Sequence, residues 1–360
     1  MSTPFVKFNI SDRPEFIKEL RKRVNQHFKD NNISKYANLN MKFKTVFMIG
    51  LYFTPLVLML TGVIASLWWV MLMWLIMGFG MSGIGLSIMH DANHGSYSQN
   101  KHVNNVLGFL VNFLGAYHIN WKIQHNVLHH TFTNVDGADD DLEGPGFLRF
   151  SPHQEKKKIH RYQHLFAWFP YSLMTFQRFV KSDYDQLFRY KKEGLLPSNT
   201  SLLKEFLQVT FWKLFYITAF LVLPLLLSPF HWAWVLLGFT IMHLAAGLIL
   251  SLIFQTAHVM PSTEFPLPDD NGTIENHWAI HQMLTTANFA RKNRLFSWFV
   301  GGLNYQVEHH LFANICHVHY RKLSPIVEQT AKEFGIPYNF EPTFFGAIRS
   351  HANMLRDLGK

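Results

Sequence analysis

The chain has 360 residues, with 21 histidines, one cysteine and only 16% charged residues, while 48% are apolar and 16% aromatic. An ordinary soluble domain is about 25% charged, and so rich an apolar and aromatic content excludes a disordered chain. A single cysteine excludes a disulfide scaffold and a thiolate zinc site. The formal charge of +9 would suit nucleic acid or an anionic membrane face. No basic stripe or binding motif accompanies it, so no nucleic-acid partner is expected.

Residues 1–44 are polar and read as a cytosolic segment without a signal peptide. Asp12 and Glu15 have the spacing of a capping box, and Ile17, Leu20 and Val24 form one apolar helix face. Packing on the body of the protein is expected, with membrane-surface binding through Arg21, Lys22 and Arg23 as the alternative. Residues 45–89 then contain no Asp, Glu, Lys or Arg, and neither do residues 214–263. Each run is about twice the length that crosses a bilayer as a helix. Thr61-Gly62 and Ser228-Pro229 break the two runs near their middles. The pattern predicts two helical hairpins within 45–89 and 207–253, with spans near 45–61, 67–89, 207–227 and 232–253. Pro55 and Pro224 fall inside spans, which membrane helices tolerate.

Neither hairpin tip carries a lysine or arginine, whereas ten precede residue 45, twelve lie in 121–205 and nine follow residue 290. By the positive-inside rule both termini and the middle segment are cytoplasmic. Residues 90–205 and 254–360 then form a cytoplasmic cap. Residues 103–114 have helical apolar spacing interrupted by Asn104, Asn105 and Asn112, which suits an interfacial helix rather than a span. The aromatic stretch 163–180 suits the headgroup region. Gly78, Gly80, Gly83 and Gly85 would let the second span approach its neighbours closely. His243, in mid-span, is expected to make an interhelical hydrogen bond, with the substrate path as the alternative.

Three histidine clusters stand out: His90-Asp91-Ala92-Asn93-His94, His125-Asn126-Val127-Leu128-His129-His130, and Gln306-Val307-Glu308-His309-His310. Histidines at i, i+4 project from one helix face and reach a single ion. An adjacent pair preceded by a third histidine can serve two neighbouring ions. The predicted spans bring all three clusters, and His258 after the fourth span, to one membrane face. Imidazole suits zinc, copper, iron or nickel. Eight ligands exceed what one zinc takes and fit two ions. An all-nitrogen pair at a membrane surface suits oxygen chemistry by iron, without excluding another metal.

These features resemble a membrane fatty-acid desaturase over the whole chain, with its three histidine boxes and four spans. A third box beginning with Gln306 resembles the front-end class, which places a new double bond between an existing one and the carboxyl end. Closer still are the cyanobacterial-type delta-6 acyl-lipid desaturases, similar at residues 285–290 (TTANFA), 301–304 (GGLN), 314–317 (NICH) and 342–344 (PTF). Ala313 stands where the family usually has proline, which would alter a turn rather than the chemistry. The His-Pro-Gly-Gly mark of a fused cytochrome b5 domain does not occur.

The resemblance implies an all-α integral membrane fold, one desaturase domain over 1–360, with four transmembrane helices in two hairpins and a helical cap holding a di-metal site. It implies two iron ions, O2 as co-substrate, and a fatty acyl chain of about 18 carbons on lipid or CoA, within membrane lipid. Electrons would come from an external donor such as ferredoxin or cytochrome b5. The implied ligands are His90, His94, His125, His129, His130, His258, His309 and His310, with Gln306 binding directly or through water. Asp91 and Glu308 are candidates to orient imidazoles. For Asp139, Asp140 and Asp141 a solvated loop is expected, with orienting imidazoles as the alternative. His277, His281, Gln282, His317 and His319 are expected to support the site rather than ligate, and His153, His160 and His164 to be solvated or interfacial. The rival readings are another histidine-box oxygenase (hydroxylase, ketolase or acetylenase), a desaturase of delta-5 or delta-9 type, and a membrane metal transporter. A transporter would place its site near the bilayer midplane, unlike these clusters.

Overall fold

The computed structural model describes residues 6–64 and 66–360. Among these described residues four helices are long and apolar enough to cross a membrane: Leu39–Leu60, Leu67–Asn93, Leu202–Leu227 and Trp232–His258. The chain is an integral membrane protein, all-α except for two short parallel strand pairs. The spans overrun the uncharged segments because helical winding does not stop where charge begins. Asn38 starts the first by accepting a hydrogen bond from the Met41 amide, and Ser201 starts the third by accepting from the Lys204 amide. Each cap satisfies one of the free N–H groups at a helix start.

The second span packs along both the first and the fourth. A Cβ on Gly80 would lie 2.7 Å from the Tyr52 backbone nitrogen, and one on Gly78 would lie 2.8 Å from the Met242 carbonyl oxygen. The helix backbones therefore touch at these points, as small residues permit. His243 is fully buried in the fourth span. Its Nε2 lies 3.0 Å from the Tyr216 hydroxyl and its Nδ1 3.0 Å from the Thr175 hydroxyl. That is the interhelical bond, made twice. Wide π turns interrupt the helices at Ile84–Ile88, Ile123–His129, Arg178–Ser182 and Thr218–Val222. The last immediately precedes Pro224, which cannot donate an α-helical bond.

The helix Pro14–Asp30 buries Phe16, Ile17, Leu20 and Val24 against the helix Tyr320–Glu333, and Arg23 bridges Glu19 and Glu333. Packing on the body is thus the outcome. The Asp12–Glu15 capping box does not form. Arg13 is the cap residue, in a left-handed conformation (φ 45°), and Asp12 binds the Arg13 guanidinium and the His277 amide instead. Residues 101–114 make a short helix, Lys101–Gly108, and a tighter turn, Phe109–Leu114, not a span. The aromatic stretch breaks into Gln163–Phe166, Trp168–Ser172 and Met174–Gln177, packed across the fourth span. His160 is buried rather than solvated, because its Nδ1 accepts from the Lys157 amide and starts a helical turn. Lys7–Phe8 pairs with Thr273–Ile274, and Ala287–Phe289 with Asn339–Glu341.

Candidate metal centre

The second and fourth spans end on His90–His94 and His258, and the cap folds over these ends. One ring nitrogen from each of His90, His94, His125 and His309 lies within 4.8 Å of the other three. A second group, His129, His258 and His310, meets the same limit. His130 bridges the groups: its Nε2 is 2.9 Å from His309 Nε2 and 3.3 Å from His125 Nε2, and its ring stacks on His310. His90 Nε2 is 3.0 Å from His125 Nε2. Nitrogen ligands at about 2.1 Å from one ion stand roughly 3.0–3.4 Å apart, so these separations match the edges of a coordination shell.

The π turn Ile123–His129 shapes this arrangement. Its wider winding swings His125 toward His130, while His129 joins the other group. The histidines at i, i+4 in the first box stay together, and those in the second box are divided between the groups.

Outer hydrogen bonds set the ring tautomers. His129 Nδ1–H donates to Asp139 at 3.1 Å, His310 Nδ1–H to Gln282 Oε1 at 2.7 Å, and His258 Nδ1–H to the Thr285 carbonyl at 3.3 Å. In the neutral ring each Nε2 lone pair is thereby directed to the other side, and among the described residues the buried Nε2 atoms of His129, His258 and His310 have no hydrogen-bond partner. The Nε2 atoms of His258 and His310 are buried acceptors lacking donors, which is costly unless a cation joins them, and that of His129 becomes one when its proton leaves. Burial and neighbouring histidines hold His125, His130, His309 and His310 far below the usual histidine range, which keeps them neutral. His129 differs: burial lowers it, but Asp139 and Asp141 outweigh burial and raise it to about 9. The donor set fits a pair of metal ions bound mainly by nitrogen.

Several expectations change. The Asp139–Asp141 run is not a solvated loop, since folding presses it onto the second box and the helix Asp183–Lys192. Asp139 is 2% exposed and also accepts from the Asn134 and Asp141 amides. Asp140 takes bonds from Arg189 and Tyr190, and Asp141 lies 3.6 Å from His129 Nδ1. Glu308 orients no imidazole. It faces the strand Ala287–Phe289, where Asn288 (2.8 Å) and Tyr338 (2.6 Å) donate to it. Gln306 is buried, and its amide nitrogen has no hydrogen-bond partner among the described residues. His277 starts the helix Trp278–Thr285 by accepting from the Ala279 amide, and His281, with both ring nitrogens unpartnered, lies outside both groups.

Thr133, which donates to Gln282, and Tyr320, 3.2 Å from His309 Nδ1, carried no spacing signal in the sequence. Asp91, Cys316 and His317 also converge. Burial pushes the Cys316 thiol up, and the Lys44 amine lies 2.7 Å from His317. A protonated thiol beside an amine makes a poor cation site.

A helical membrane protein with two adjoining histidine groups at one end of its spans belongs with membrane proteins whose buried histidines could hold a pair of metal ions. The model of the fatty acid desaturase family matches residues 66–342. An sn-1 linoleoyl-lipid 6-desaturase of Arthrospira platensis is 37% identical over 346 residues, covering 95% of this chain and 92% of the relative. One of the same name from Synechocystis is 36% identical and covers 98% of both. An acyl-lipid (8-3)-desaturase of Physcomitrium patens is 33% identical, covering 97% of this chain and 72% of its own length. The chain belongs to the fatty acid desaturase family and is an oxidoreductase of that family.

Proposed function

We propose that this protein is a front-end acyl-lipid desaturase of delta-6 type, a single domain over 1–360 that inserts a cis double bond into an 18-carbon chain. The observation that carries the metal reading is the trio of inward, partnerless Nε2 atoms on His129, His258 and His310. His90, His94, His125 and His309 would hold one iron and His129, His258 and His310 the other, with His130 between them and Gln306 as a further ligand, direct or through water. When bound, the ion pair supplies the O2 activation needed to attack an unactivated C–H bond. In net terms two hydrogens leave adjacent methylenes, a donor supplies two electrons, two protons enter, and O2 becomes two waters.

The chain's own residues orient the imidazoles, exclude water and position the acyl chain. One methylene in an apolar pocket is worth only about 1–3 kcal/mol, so regiochemistry needs a path of fixed length with the head group anchored. The names of the two cyanobacterial relatives, both sn-1 linoleoyl-lipid 6-desaturases, support position 6 and a lipid-linked substrate. The distribution of lysine and arginine supports a cytoplasmic cap and termini. A separate ferredoxin or cytochrome b5 would deliver the electrons.

The test is expression in a host fed linoleate, with double-bond positions read by mass spectrometry of derivatised fatty acids. A new bond at position 6 is expected, and its loss together with bound iron in His129→Ala and His310→Ala. No new bond from folded, iron-loaded protein with a competent donor would overturn the reading.

A further inference from the structure

Lys44 is buried, 1% exposed, although it stands at the start of a membrane-spanning helix beside Lys42, which is exposed. A buried amine is costly unless hydrogen bonded. Among the described residues, its bond is to His317 Nε2 at 2.7 Å. Because the amine donates there, Nε2 is the acceptor and His317 carries its proton on Nδ1. That Nδ1–H donates to Asp91 Oδ2 at 2.8 Å, and the His317 backbone amide donates to the same oxygen at 3.1 Å. The other oxygen of Asp91 lies 3.8 Å from His90 Nδ1, and His90 Nε2 faces the four-histidine group. Among the described residues the His90 Nδ1 atom has no hydrogen-bond partner, and this Asp91 oxygen faces it as the nearby carboxylate.

We infer that Lys44 is a positioning residue of the metal centre, acting through His317 and Asp91 on His90. The inference rests on the reading that His90 binds metal. The chain of contacts explains why a basic side chain points into the protein here. The first span supplies none of the histidines, yet its start is tied to the segment after the third box at several points. The Cys316 amide donates to the Lys35 carbonyl, His319 Nε2 lies 3.1 Å from the Tyr36 carbonyl, and Lys44 reaches His317. Thr45, the next residue, lies 2.9 Å from the hydroxyl of Tyr97, just beyond the first box. Without the Lys44 donor, His317 is free to move its proton to Nε2. Its bare Nδ1 would then face the Asp91 carboxylate, acceptor against acceptor, and Asp91 would lose the side-chain bond that aims it at His90. Outer partners of metal-binding histidines are worth about ten- to hundredfold in metal affinity.

The experiment is anaerobic ferrous-ion binding by chelator competition on the full chain in detergent, without substrate. Wild type should bind two ions, and His90→Ala should lose one; failure of either result strikes the metal reading itself. Given both, Lys44→Met should weaken one ion by about ten- to hundredfold and leave the other unchanged. Lys42→Met should bind like wild type. In a His317→Leu background, Lys44→Met should cause no further loss. The melting temperature of the metal-free variants separates this effect from misfolding, and Lys44→Ala is read the same way if the methionine variant does not fold. Folded Lys44→Met binding both ions as tightly as wild type would overturn the inference. So would losses from Lys44→Met and His317→Leu that simply add.

Discussion

Asp139→Asn changes one oxygen of a buried carboxylate to an amide, with expected losses in metal binding and in metal-free stability that vary with pH in opposite directions. In the native chain Asp139 receives His129 Nδ1–H and two backbone amides. The asparagine presents a donor to one of those donors, so the imidazole loses its firm orientation. The expected loss at the His129–His258–His310 group is about ten- to hundredfold, or roughly 1.4–2.8 kcal/mol. Proton competition works the other way. His129 sits at about 9 in the metal-free protein, so at pH 7 an incoming ion must expel a proton from it. Native affinity at this group should rise about tenfold per pH unit from 7 toward 9 and then level off. Removing the Asp139 charge lowers the His129 pKa and flattens that slope.

The variant should therefore bind one ferrous ion more weakly at pH 9, with the deficit shrinking toward pH 7. Stability without metal has the reverse sign. The raised pKa contributes stability that is fully present below the ordinary histidine value and is lost as pH rises through about 9. Metal-free Asp139→Asn should melt below native protein near pH 6, with the gap closing above pH 9. Chelator competition at pH 7, 8 and 9 measures the first effect and thermal melting the second. An equal deficit at every pH would refute the account of His129, and no deficit at pH 9 would refute the role given to Asp139.

Gly301 has φ 64°, and an added Cβ would lie 2.4 Å from the Leu86 carbonyl oxygen, inside the π turn before His90. Gly301→Ala should cost at least about 2–3 kcal/mol and lower the melting temperature in detergent; an unchanged melt would show that the contact yields. His243→Leu removes the bonds to Tyr216 and Thr175 and should cost about 1–3 kcal/mol while leaving the double-bond position unchanged. A shifted product profile would place His243 on the acyl path instead.

The spans and the convergence of the boxes were legible because both depend on short-range patterns: missing charge over a helix length, and histidine spacing within a few residues. The starts and ends were less so. The first helix begins at Leu39 and the fourth runs to His258, since caps such as Asn38 decide boundaries and hydropathy does not. The partners of the boxes were only partly legible: residue type marked Asp91, Gln282 and His317 as candidates, but which group each would meet depends on tertiary packing. Glu308 was claimed by Asn288 and Tyr338, and Asp139 was drawn out of solvent by the second box. Lys44 meets His317 across 273 positions. A local pattern offered Asp12 to Glu15, and the neighbouring Arg13 together with the distant His277 amide took it instead.

The wide turn Ile123–His129 has a bearing on how the second box can change. Each residue of an α-helix advances by about 100°, and a π turn amounts to one extra residue in the winding. Deleting any single residue between Trp121 and His125 would let the helix rewind at the expense of that excess. The helix beyond the turn would keep its phase, because the residue lost is the extra one, but His125 would shift by about one step relative to His129 and His130 while the letters of the box stayed intact. The box is therefore defined by helical phase as much as by composition. A homologue or design that copies its histidines onto a regular α-helix would reproduce the motif and miss the geometry.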